Sequence, residues 1–394
     1  MRTVCDLNKC TACMACVEKC PHNAITVIDS IMYVNAVIKE SKCINCGLCE
    51  KVCQVVHPLT RREPIYWSQG WTTDEVSRRR SSSGAFAHSL ARQMIADGGY
   101  VAACKFEKGE FGYALTQNAE ELDQFRGSKY VKSDPKSIYF TVEKVLEEGK
   151  KALFIGLPCH VSGLKKYLGK EYENLITVDL VCHGSPSPKL LEMFLNQYGI
   201  SLNLVQNISF RKKDNFRICG SKIGKEKEEF CFTEPGIRDR FSLAFLYGLI
   251  YTDNCYQCPY AGIGRVSDIT LGDSWGSELD EKDRKRGISL ALCQTEKGKF
   301  FLERCKLKQF QVDIEKAVEA NQQLRKPSHL PPNRDLFFKL LDEGKTFNSA
   351  IRKCFPKACA RLDLKNFILS ISNAGTKMGW KMKKAYNHEP LQKK

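Results

Sequence analysis

Two stretches near the N-terminus, CTACMACVEKCP (Cys10–Pro21) and CINCGLCEKVC (Cys43–Cys53), repeat one spacing, CxxCxxCxxxC. An iron-sulfur cube needs four thiolates at its corners, and a CxxCxxC loop winds its backbone so that three sulfurs converge on one cube. A structural zinc site has a different signature, two CxxC pairs closing on a single ion. Two complete four-cysteine runs therefore point to 4Fe-4S clusters. Between the runs, AITVID and MYVNAVI read as a small hairpin. Pro21 closes the first run, whereas Gln54 follows the second, and Cys5 lies outside both as a spare thiol.

The double run resembles bacterial-type two-cluster ferredoxins, in which the fourth cysteine of each run ligates the other cluster. Carried over residue by residue, one cluster takes Cys10, Cys13, Cys16 and Cys53, and the other takes Cys43, Cys46, Cys49 and Cys20. Two adjacent clusters form a wire that moves single electrons and does no substrate chemistry. The remainder of the chain must supply those electrons or use them.

With 394 residues the chain suits two or three domains. Its twenty cysteines would suit a disulfide scaffold only in a short secreted protein, so metal ligation in a reducing cytoplasm is expected. The start MRTVCDLNKC lacks the features of a signal peptide, and the longest apolar run, Phe241 to Tyr251, falls short of the roughly 18 residues that span a bilayer. The net charge of +16 is concentrated at the C-terminus. From Ile351 onward, eleven Lys/Arg face only Asp363 and Glu389, which gives +9. There NFILSISNAGTKMGWKMKKAY joins an apolar stretch to Trp380 and several lysines, a pattern suited to peripheral membrane contact or to an acidic partner. No nucleic-acid recognition motif accompanies the charge, so nucleic acid is not expected as a partner.

From Trp67 strands and helices alternate, which predicts an α/β domain with a mostly parallel sheet covered on both faces. A turn, Ser81-Ser82-Ser83-Gly84, opens a helix in which Phe86, Leu90 and Met94 recur at helical spacing. KALFIG and LITVDLVC read as buried strands, and NISFRKK, FRICGSKI and EEFCFTE as an antiparallel insertion. Cys159 in GLPCH and Cys182 in VCHGSPSP sit at carboxyl ends of strands, where open α/β sheets bind ligands. Cys255 and Cys258 add a CxxC. These four complete a third 4Fe-4S site or are buried core thiols, and spacing alone leaves both open. Cys104, Cys219, Cys231, Cys293, Cys305, Cys354 and Cys359 have no such context and read as core or surface thiols.

In order along the chain, RRRSSSGAFAHSLARQMIADGG, FRGSKYVKS, GLPCHVSGL, DLVCHGSPSP and CYQCPYAGIGRVSDITLGDSWG resemble the β subunits of coenzyme F420-reducing hydrogenase and of the related formate and reduced-F420 dehydrogenases, over about Ile65 to Gln294. The resemblance implies an FAD and one 4Fe-4S cluster, the latter on Cys159, Cys182, Cys255 and Cys258. With the cysteine-dense start and the basic end, the chain divides into three segments: a two-cluster ferredoxin domain at 1–60, an FAD and 4Fe-4S domain at 61–330, and a basic, mainly helical extension at 331–394. For the flavin, Ser81, Ser82, Ser83 and Gly84 offer hydroxyls and N–H groups at a helix start, a seat for a pyrophosphate. Arg126, Ser128, Lys129 and Tyr130 supply charge and donors beside it. Where many relatives read SSSGG and GTPCQ, this chain has Ala85 and His160, and His160 either donates to the flavin ring or packs. No residue is assigned a catalytic role. The function implied is an oxidoreductase passing electrons between a hydride carrier or small substrate at FAD and a chain of 4Fe-4S clusters. The alternative is a non-catalytic electron-transfer subunit of a larger redox complex.

Overall fold

In the N-terminal segment each cysteine loop runs straight into a short helix. β1 (Arg2–Thr3), α1 (Ala15–Lys19), β2 (Ile25–Asp29), β3 (Val34–Ile38) and α2 (Leu48–Lys51) follow in order. β3 is central, antiparallel to β1 and to β2, and β2 with β3 is the expected hairpin. Met14 before α1 and Gly47 before α2 have left-handed backbone, φ 62° and 73°, which curls each loop back over its own cysteines. The computed structural model describes residues 1–386, without the side chains of 225–229 and 373–386.

The next stretch contains β4 (Tyr66–Thr72), α3 (Glu75–Arg80), α4 (Phe86–Ala96), β5 (Tyr100–Glu107), β6 (Glu110–Thr116), α5 (Ile138–Glu147), β7 (Ala152–Ile155), α6 (Pro158–Leu168), β8 (Leu175–Leu180) and α7 (Pro188–Asn196). A separate antiparallel sheet follows, β9 (Val205–Lys212), β10 (Asn215–Lys222) and β11 (Lys225–Cys231), in line with the expected insertion. Then come α8 (Arg240–Leu246), β12 (Ile269–Asp273), α9 (Glu281–Arg286), β13 (Ser289–Cys293), α10 (Glu296–Glu303) and β14 (Leu307–Phe310). The chain ends in α11 (Ile314–Ala320), α12 (Arg334–Asp342), α13 (Phe347–Cys354) and α14 (Pro356–Tyr386).

The large sheet has the order β14-β4-β13-β12-β8-β7-β5-β6. Its centre, β12-β8-β7-β5, is parallel, and helix crossovers through α5 and α6 require that. The flanks are antiparallel: β6 returns on β5 as a hairpin, and β13, β4 and β14 pair antiparallel beyond β12. The expectation of a mostly parallel sheet is therefore corrected to a mixed one. A second correction concerns two thiols read as unpaired. Cys219 and Cys231 are direct cross-strand neighbours in the β10–β11 ladder and form a disulfide.

The hydrophobic cores ignore the segment boundaries drawn from sequence. One buried cluster joins Ala15, Ile25, Ala36 and Val52 of the N-terminal segment to Tyr139, Phe154, Val161 and Leu164 of the large sheet and its helices. Another joins Phe194, Phe210 and Phe241 to Phe337, Phe347 and Ile351 of the C-terminal helices. No helix among the described residues is long and apolar enough to cross a membrane.

Candidate metal centres and cofactor site

Two cavities in the N-terminal segment divide the eight cysteines of the repeat between them. Cys20, Cys43, Cys46 and Cys49 line the larger, of about 230 Å³. Cys10, Cys13, Cys16 and Cys53 line the smaller, of about 20 Å³, together with Cys5 and Gln54. The fourth cysteine of each run thus lies with the first three of the other. The two sets differ in access: Cys46 is exposed, whereas Cys10, Cys16 and Cys53 are buried. Burial pushes the Cys16 thiol well up, and the neighbouring thiols Cys13, Cys10, Cys53 and Cys49 push it further. Such crowding of like groups is what a multi-thiolate site requires. Cys5 stands between Cys10 and Cys53, keeps its own proton, and draws their thiols down to about 7 and about 6 through hydrogen bonds. Its place beside the inner set gave no sign in the spacing.

The third set is brought together from three loops. Cys159 lies in the first turn of α6, whose Pro158 starts the helix. Cys182 follows β8, and Cys255 and Cys258 bracket the turn after α8. Burial raises the Cys159 thiol, Lys132 opposes that rise, and Cys182, Cys258 and Cys255 add repulsion. Burial pushes Cys182 to about 12, with Cys255 and Cys258 contributing. The Cys255 sulfur lies 3.6 Å from the Thr252 hydroxyl and 4.0 Å from the Ser185 carbonyl. The Ser185 hydroxyl is buried without a partner. An orphaned donor beside four thiols fits a cluster, whose sulfurs accept such bonds. Among the described residues, no three His, Cys, Asp or Glu side chains converge tightly enough for one metal ion. The corners of a four-iron cube stand further apart than the ligands of a single ion.

The inner N-terminal set and the third set meet across a seam. The Gln54 amide donates to the Thr11 hydroxyl at 3.0 Å and to the Cys159 carbonyl at 2.6 Å, and accepts from the Tyr260 hydroxyl. Tyr139 donates to the Cys13 carbonyl at 2.7 Å. Lys132 donates to the Thr11 carbonyl at 3.2 Å. Gly163, one turn beyond Cys159, lies against Cys13. Sequence reading noted Gln54 only for standing where proline closes the first run, and passed over Lys132.

The residues expected around a flavin fall into two places. Arg126 donates to the Ser81 hydroxyl at 3.1 Å, Ser128 to the Ser82 hydroxyl at 3.2 Å, and Ser83 shares a hydrogen bond with Ser289 at 2.8 Å. The Gly84 N–H also goes to Ser289, at 3.0 Å. The hydroxyls and this N–H are thus engaged from within. Lys129 is half-buried, and among the described residues its ammonium donates to the carbonyls of Phe125 and Arg126, so in charge it fits an anionic group such as a dinucleotide phosphate. The Tyr130 ring stacks on Phe245 at 4.2 Å and its hydroxyl faces Arg211, which grips Asp273 with two bonds and donates to the Ser82 carbonyl. His160 lies apart, packed on Tyr113 with a hydrogen bond of 2.8 Å. Burial, aided by Lys132, draws its pKa down to about 3, so its ring is neutral.

Residues 149–318 match the family described as the C terminus of the beta subunit of coenzyme F420 hydrogenase/dehydrogenase, and residues 9–56 match the 4Fe-4S dicluster domain. Residues 149–318 are thus similar to that F420 hydrogenase/dehydrogenase family. The segment so defined carries all four cysteines of the third set. The chain is similar to the coenzyme F420-dependent sulfite reductase of Methanocaldococcus jannaschii, 22% identical over 342 residues, covering 82% of this chain and 53% of that protein. It is also similar to the F subunit of the F(420)H(2) dehydrogenase of Methanosarcina mazei, 23% identical over 186 residues, covering 44% of this chain and 53% of that one. The chain spans about half the length of these relatives. A chain in the xenon-derivatized F420-reducing NiFe hydrogenase complex of Methanosarcina barkeri aligns with a TM-score of 0.44 and 17% identity, over 74% of this chain and 92% of that chain.

Proposed function

We propose that this chain is an iron-sulfur flavoprotein oxidoreductase, with a hydride carrier or small substrate on one side and one-electron carriers on the other. The observation that carries this reading is the third cysteine set, seated at the carboxyl ends of β7 and β8 directly against the inner set of the ferredoxin-type segment. In this reading Cys10, Cys13, Cys16 and Cys53 hold one cluster. Cys20, Cys43, Cys46 and Cys49 hold a second, and Cys159, Cys182, Cys255 and Cys258 hold a third. A bound flavin would supply exchange between a hydride and single electrons, which clusters alone cannot perform.

The protein's own residues have separate tasks. Lys129 offers positive charge at the proposed flavin, and Arg126 with Ser128 fixes the serine turn. His160, tied to Tyr113, stays neutral and takes up no second proton near pH 7. Gln54 clamps the inner loop onto α6, and Tyr139 clamps it onto α5. The exposed edge at Cys46 is the natural contact for a redox partner protein. The names of the relatives favour coenzyme F420 among hydride carriers.

Anaerobic purification followed by flavin and iron analysis tests the proposal. The expected content is one FAD and about twelve irons per chain, from three four-iron clusters, and bleaching by at least one of NADH, NADPH, reduced F420 or another small hydride donor. Twelve irons without flavin would replace this reading with the alternative, a non-catalytic electron-transfer subunit. That alternative draws support from the match to a protein named as a subunit.

A further inference from the structure

Lys132 is 8% exposed, and among the described residues it forms no ion pair with a carboxylate. Its ammonium donates to the Thr11 carbonyl, and its backbone N–H donates to the Pro186 carbonyl at 2.8 Å. It therefore touches the inner cysteine loop on one side and the loop after Cys182 on the other. A buried charge is costly unless an anion answers it. Thr11 stands next to Cys10, and its hydroxyl is joined through the Gln54 amide to the Cys159 carbonyl, so the ammonium sits where the inner and third cysteine sets meet.

A 4Fe-4S cube on four thiolates is a net anion, and it becomes more negative by one charge on reduction. A fixed cation beside it favours the reduced form and raises its potential. We propose that Lys132 is a shared countercharge for the inner and third cluster sites, raising both potentials together while leaving the outer site on Cys20, Cys43, Cys46 and Cys49 unmoved. The inference rests on the three-cluster reading above. Lys132 acts only through its field: no bond forms or breaks, and no electron or proton passes through it. By moving both potentials in the same direction, it lowers the energy of an added electron on either side of the seam without creating a step between them.

The test uses the full chain, purified without oxygen, as wild type, Lys132→Gln and Lys132→Arg. Iron is counted and each protein is titrated reductively while the clusters are followed by electron paramagnetic resonance. Lys132→Gln keeps a donor for Thr11 and removes the charge. At a fixed potential, the reduced-to-oxidised ratio of two clusters is expected to fall about tenfold, 59 mV for one electron, with the third unmoved. Lys132→Arg is expected to restore both. Unmoved potentials, an equal shift of all three, or iron loss in both variants would overturn the inference and leave Lys132 a packing residue. A wild type with fewer than three clusters would instead defeat the three-cluster reading itself.

Discussion

Gly163 leaves no room for a methyl group. A Cβ there would meet the Cys13 Cβ at 2.9 Å, the Tyr139 hydroxyl at 3.0 Å and the Cys13 sulfur at 3.1 Å. Gly163→Ala is expected to cost about 1–3 kcal/mol in chemical denaturation despite the better helix propensity of alanine, and to lower the iron content by displacing Cys13. His88 makes a different prediction. Arg126 donates to its Nε2 at 2.6 Å, and burial followed by the Arg126 charge draws its pKa from 6.5 to about 4. Between those values the unfolded chain binds more protons than the folded one. The contribution of His88 to stability is therefore full above 6.5 and is lost as pH falls through 4. His88→Gln should shrink the fall in urea midpoint between about pH 7 and about pH 5 relative to wild type. At this scale the repeat made the eight N-terminal cysteines legible, because spacing alone defines the loops. Lys132, Gln54 and Gly163 were not legible, because each acts on a residue more than a hundred positions away.

Among the elements, β4 shows most clearly what a pattern search overlooks. YWSQGWT carries Ser68, Gln69 and Thr72 in buried positions, so it has neither clean alternation nor a continuous apolar run. Its polar side chains are matched instead by partners elsewhere: Ser68 by Gln309, and Gln69 by Ser274 and the Gln311 carbonyl. The parallel centre was legible because β7 is apolar throughout and β8 is mostly so, with only Thr177 and Asp179 polar. The pairing of Cys219 with Cys231 was not, since it depends on the register of a polar hairpin. Arg78 joins three elements. Its guanidinium stacks 3.9 Å from the Trp71 ring of β4 and donates to Asp283 of α9 and to the Gly287 carbonyl. Arg78→Lys cannot reproduce that fork, and a loss of about 2–3 kcal/mol is expected in thermal or urea unfolding. In α14, Asp363 is held by Arg240 and Arg352, and the Asn366 side chain accepts from the Glu234 N–H at 2.7 Å. Leu364, Phe367, Ile368 and Ile371 point to solvent on other faces. The basic residues beyond 372, and Trp380 with them, lie outside the described side chains. An exposed apolar stripe in a basic helix supports contact with an anionic membrane surface. Sedimentation with anionic phospholipid vesicles should carry the protein down, and Phe367→Asp should reduce that binding several-fold. Absence of vesicle binding would point to an acidic partner instead.

At the scale of the molecule, the ferredoxin-type segment shares its hydrophobic core with the large sheet and has no freedom to swing as a tethered carrier. Electrons would cross a fixed seam. Cys182→Ser should remove about a third of the iron, roughly four of twelve atoms, while leaving the signals of the two N-terminal clusters in place. This arrangement was only half visible beforehand. The order of the motifs announced both kinds of site, but their contact arises from packing between distant stretches of chain.

The unequal access of the two N-terminal cavities bears on how the protein would age in air. Oxygen and alkylating agents meet Cys46 at the surface, while Cys10, Cys16 and Cys53 are shut in. Damage should therefore begin at the outer edge and work inward. In a timed exposure, peptides containing Cys43, Cys46 and Cys49 would take up iodoacetamide before those containing Cys10 and Cys16. A protein already blind to its partner could then still keep an intact interior.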